Sequence, residues 1–130
     1  MATNYFNERY YVTEDTEAQL LAGLIIDACT LTRDSIIDVA KILQPSDFQN
    51  TDHQRIFTAM LSCEHAISYV AIAKELDRTK TLATGDLKYL VHLVSRCYCS
   101  PFDLVYYAKL VKEYSDQRKG KSHPVVRGAL

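Results

Sequence analysis

Between Leu43 and Phe57 the chain reads Leu-Gln-Pro-Ser-Asp-Phe-Gln-Asn-Thr-Asp-His-Gln-Arg-Ile-Phe, and this stretch limits the fold more than any other. Pro45 lacks an N–H and its ring clashes with a preceding helical turn, so the helix that arrives at Leu43 stops there. Asn50 is of the residue type that caps a following helix by accepting its free N–H groups. Beyond it, Ile56, Phe57 and Met60 recur at helical spacing and give that helix a core face. Phe48 falls between the two helices, where an aromatic ring serves as a plug. The stretch is therefore a helix–turn–helix junction, and Asp47 within it reads as a turn or cap acceptor.

The helical period extends in both directions. Residues 1–14 carry Tyr5, Phe6, Tyr10 and Tyr11 without clear periodicity and read as an N-terminal arm that packs on the body or on a partner. Thr16 and Gln19 have the form of a capping box, after which Leu20, Leu21, Leu24, Ile25 and Ala28 mark a face of a first, central helix. Gly23 inside it costs up to about 1 kcal/mol relative to alanine, which reflects either close approach of another backbone or simple tolerance. Thr32 is placed to cap a second helix through Leu43, with Ile36, Val39, Ala40 and Leu43 inward. A third helix spans Thr51 to Glu64. Ser68 can cap a short fourth, with Ile72, Ala73 and Leu76 as its buried stripe and residues 77–81 as a solvated exit.

Gly85 breaks the chain again. Leu87, Leu90, Leu93 and Val94 then describe a fifth helix ending near Arg96, and the Pro101 region opens a sixth with Leu104, Tyr107, Ala108 and Val111 inward. Strand patterns are absent. The expectation is an all-α fold, a compact bundle of about six helices over residues 15–118, followed by a polar tail over 119–130 with Gly120 as helix stop. The core and junction residues are Leu24, Leu43, Pro45, Phe48, Ile56, Phe57, Leu90 and Tyr107.

A chain of 130 residues suits one domain and leaves no room for a second, catalytic one. Its 15 basic and 16 acidic residues give a net charge of −1, so no global positive field gathers nucleic acid and direct binding is not expected. The longest apolar run, Leu20 to Ile26, falls far short of the roughly 20 residues of a membrane span. The N-terminus also lacks the basic-then-apolar order of a signal peptide, which together favours the cytoplasm and no membrane partner.

Cys29 and Cys63 lie in helical apolar patterns and read as small buried hydrophobes. Cys97 and Cys99, with His92 nearby, are open to two readings, structural or part of a metal site or thiol switch, but no second cysteine pair completes a four-ligand zinc site. Gly120-Lys121-Ser122 resembles the end of a phosphate-binding loop. Ser115 stands where that loop needs its first glycine, and no strand precedes it. His53 reads as a hydrogen-bonding partner of the preceding turn or of a neighbouring helix, with no nucleophile placed beside it. Lys112, Arg118, Lys119 and Lys121 read as a solvated basic helix end complementing the dipole. Tyr106, Tyr107 and Tyr114 could stack bases, but core or subunit packing is the better reading of an aromatic stripe at helical spacing. No catalytic, cofactor-binding or metal-ligating residue is assigned.

Several segments also share order and spacing with a known family. Glu17-Ala18-Gln19 with Leu20 and Ala22-Gly23, then Ile36 through the Pro-x-Asp-Phe turn at Asp47-Phe48, then His53, Ile56 and Phe57 as His-x-x-Ile-Phe, form the first half of the set. Ala73 through Leu76, Gly85 with Tyr89-Leu90, and Tyr107-Ala108 with Leu110-Val111 form the second. Over about residues 15–118 this set resembles the N-terminal head of the bacterial replicative DNA helicase DnaB family. The departure is the lead into the first helix, where Val12-Thr13-Glu14-Asp15 replaces a Pro-His-Ser type sequence.

The resemblance implies a non-catalytic assembly and interaction domain. Such heads form a collar on a hexameric motor, associate in pairs, and with an adjoining helical hairpin receive the primase and influence contact with the helicase loader. It implies that ATP and magnesium belong to the motor domain and that the last helix leads into the hairpin, an apolar continuation that the residues after Arg118 do not show. A weak homodimer, not a hexamer, is expected of the head. Two other classes stay open: a free-standing phage or mobile-element regulator that mimics the head, and a small metal- or thiol-dependent sensor built on Cys97, Cys99 and His92.

Overall fold

Breaks in the hydrophobic period fall where a proline, a glycine or a side-chain cap interrupts the backbone. Six α-helices result among the described residues, 2–30, 34–63 and 67–120, of this computed structural model. They are α1 (Ala2–Thr30), α2 (Asp34–Ala40), α3 (Thr51–Ser62), α4 (Tyr69–Arg78), α5 (Asp86–Ser95) and α6 (Leu104–Arg118), with 3-10 turns at Pro45–Asp47 and Pro101–Asp103. No strand occurs among the described residues. Asn50 caps α3, its Oδ1 accepting the N–H groups of Asp52 and His53, and Ser68 Oγ caps α4 by accepting from Ala71. Gly85 starts α5 with φ at 91°, a left-handed backbone that favours glycine.

α1 is the central helix and packs against α2, α3, α5 and α6. Leu20, Leu21, Ala22, Leu24 and Ile25 are all buried, so this part of α1 is enclosed on every side instead of presenting one face. At Gly23 an added Cβ would lie 2.6 Å from Leu104 Cδ2 and 3.5 Å from Cys99 Sγ. The close approach there is of the side chains of Leu104, at the start of α6, and Cys99, in the α5–α6 connection, not of another backbone. Phe48, Ile56, Phe57, Met60, Ile72, Leu76, Leu90, Leu104, Ala108 and Val111 complete the core with Leu43, and the rings of Phe48 and Phe57 meet at a centroid distance of 5.0 Å. Pro45 and Tyr107 are half-buried at its edge.

Several elements depart from the sequence reading. The backbone of α1 is helical from Ala2, so residues 2–14 continue the central helix and Thr16 is no cap. The Thr16 hydroxyl donates to the Val12 carbonyl one turn back (2.8 Å), which satisfies it inside the helix. Gln19 instead ties α1 to the α5–α6 corner: its Nε2 donates to the Arg96 carbonyl (3.1 Å) and its Oε1 accepts from the Tyr98 N–H (2.8 Å).

α2 gives way at Ala40 to a turn that brings Leu43 into the core, and Ala40 itself faces solvent. Leu87 is 49% exposed. Asp86, Leu90 and Leu93 share the inward face at i, i+4 and i+7, which leaves Leu87 about 100° away from it. The Cys29 side chain, Thr32 and Glu64, and the tail from Lys121, lie outside the described residues.

Candidate functional site

The junction sits on a buried polar relay built from three helices. Glu17 of α1 and His53 of α3 are both fully buried, and His53 Nδ1–H donates to Glu17 Oε1 at 2.8 Å. On the other side of the ring, His53 Nε2 shares a 2.6 Å hydrogen bond with the hydroxyl of Tyr89 from α5, whose ring also stacks on His53. Glu17 has further acceptor capacity, and it takes the backbone N–H groups of Gln49 (2.6 Å) and Asn50 (3.3 Å). Asn50 Nδ2 donates to Glu14 (3.1 Å), and Gln54 Nε2 to the Phe48 carbonyl (2.8 Å). Burial, together with the carboxylates of Glu14, Asp52 and Glu17, pushes the Tyr89 hydroxyl up to about 12.

Asp47 fastens the other side of the junction. Its Oδ2 accepts the Gln44 N–H (2.8 Å), while its Oδ1 accepts from the Ser115 hydroxyl (2.7 Å) and lies 3.1 Å from Lys119 Nζ and 3.4 Å from Lys112 Nζ. Arg118 adds a bond from Nη2 to the Asp47 carbonyl (2.7 Å). Burial alone would raise this carboxyl, but the Gln44, Ser115 and Lys119 hydrogen bonds and the Lys112 charge outweigh it and hold it at about 2. Lys112, Arg118 and Lys119 therefore do more than end the helix in solvent: Arg118 and Lys119 stay exposed, yet all three reach back to the turn. Arg55 makes a comparable link, its guanidinium bridging Asp86 (2.9 and 3.0 Å), Asp52 (2.7 Å) and the Thr81 carbonyl (2.9 Å).

These groups are occupied by structural bonds, and none presents a nucleophile beside a free base. Among a mixed, largely polar surface, several large apolar side chains face outward. At the α5–α6 corner Phe102 is 96% exposed, with Tyr98, Tyr106 and Val105 also in solvent. Between α3, α4 and the Pro45–Asp47 turn runs a groove of about 470 Å³, lined by Pro45, Thr58, Ala59 and Leu76 among others.

The arrangement has known counterparts. The family model for the DnaB-like helicase N terminal domain matches residues 11–113. The chain belongs to this family. Among solved structures, the N-terminal domain of DnaB helicase from Mycobacterium tuberculosis is similar to it with a TM-score of 0.69 and 31% identity, over 79% of this chain and 73% of that one.

In this DnaB-like head, residues that the sequence presents as separate motif positions converge. Glu17, His53 and Tyr89 come from three different segments and form one relay. Tyr107 packs at the edge of the core, its ring edge-on to Tyr106 at 6.2 Å. The roles of Asp47 as anchor for α6, and of Arg55 as bridge to α5, leave no mark in the sequence, because each partner lies on a distant helix. At the remaining candidate cluster Cys99 is buried, and burial first, then Cys97 and Asp103, pushes its thiol up to about 11, away from the thiolate a metal ligand requires. His92 is exposed and stacks on Tyr89 at 6.4 Å. Among the described residues no three His, Cys, Asp or Glu side chains converge on a metal-binding geometry, and no helix is long and apolar enough to cross a membrane.

Proposed function

We propose that this DnaB-like head is a non-catalytic assembly and protein-interaction domain acting in DNA replication in the cytoplasm, pairing with a second head and contributing to contact with the primase and the helicase loader. The observation that supports it is the division of labour between interior and surface. Interior polar groups such as Glu17, His53, Asp47 and Asp86 are bound to neighbouring elements, whereas several large apolar or aromatic residues, Tyr98, Phe102, Val105 and Tyr106, are left in solvent at one corner beside charged neighbours such as Arg96 and Asp103. Such a surface binds by burying apolar area, with charged rims giving specificity. ATP and magnesium have no role in it; they belong to a motor domain.

Calorimetric titration of the purified chain with the primase and, separately, the loader of its source organism tests the proposal. Saturable binding to either, weakened when Tyr106 is replaced by aspartate, is the expected result. Absence of self-association and of binding to both proteins at about 10⁻⁴ M, the weak end of specific recognition, would overturn it.

A further inference from the structure

We draw no further inference here: the strongest candidate, the groove between α3, α4 and the Pro45–Asp47 turn, has nothing in the structure to show what covers it, and its charged lining residues Arg55 and Glu75 are already paired with Asp86, Asp52 and Arg78.

Discussion

Phe57 is fully buried, its ring against Phe48 at the point where the junction meets α3. Phe57→Ala should remove about 3–5 kcal/mol of stability, because the surrounding helices cannot close the space. That is a large share of the 5–15 kcal/mol typical of such domains, so urea denaturation reads it directly; a variant with the wild-type midpoint would refute the packing. Gly23→Ala sets two effects against each other. Helix propensity favours alanine by up to about 1 kcal/mol, while forcing a methyl to 2.6 Å from Leu104 Cδ2 invokes an overpacking cost of about 1–3 kcal/mol. The net expectation is a loss near 1 kcal/mol, and the loss should shrink in a Leu104→Val background. Additive effects of the two substitutions would show that Leu104 is not the obstacle. The two residues differ in how they read from sequence. Phe57 announces its burial through the helical period, whereas Gly23 announces only that something comes close; what comes close lies on α6, and periodicity within α1 carries no information about it.

At the scale of elements, the turn Pro45–Asp47 is the point to which α6 is fastened, through Lys112, Ser115, Arg118 and Lys119. Asp47 sits at about 2 in the folded domain against an ordinary 3.8. A carboxyl depressed by folding contributes stability that is complete above its unfolded value and is lost as pH falls through its folded value. The window is therefore about pH 4 down to about pH 2, and the contribution is about 2 kcal/mol. Asp47→Asn should be less stable at neutral pH by a similar amount and should lose less on acidification, a difference that chemical denaturation at pH 7, 4 and 2.5 resolves. Parallel pH profiles for the two proteins would rule out the carboxylate as the fastening. The sequence places the turn, the cap at Asn50 and the cap at Ser68 because those signals act within a few residues. It misreads the start of α1 and the basic end of α6 for the converse reason: Thr16 and Gln19 spell a capping box, but Gln19 is engaged with Arg96 and Tyr98 from the far end of α5.

For the whole molecule, a net charge of −1 and the missing first glycine of a phosphate-binding loop lead to one expectation. The purified chain should show no ATP turnover above buffer, and its duplex DNA binding should be no tighter than about 10⁻⁴ M at physiological salt. Turnover that co-purifies through successive columns, or salt-dependent binding in the micromolar range, would contradict it. The all-helical class and the family are legible in the chain, since both rest on spacing; the faces that meet a partner are not, because an exposed Phe102 and a buried Phe57 are the same letter. The central position of α1 has one last consequence, for synthesis. Its apolar stretch from Leu20 to Ile25 is translated early, yet α6, which covers it beside Gly23, comes last among the helices of the described residues. A nascent chain must therefore carry that surface uncovered until Leu104 and the rest of α6 have left the ribosome. Polypeptides stalled after Ser100 should stay protease-sensitive and chaperone-bound, and those released after Gly120 should acquire resistance in a single step.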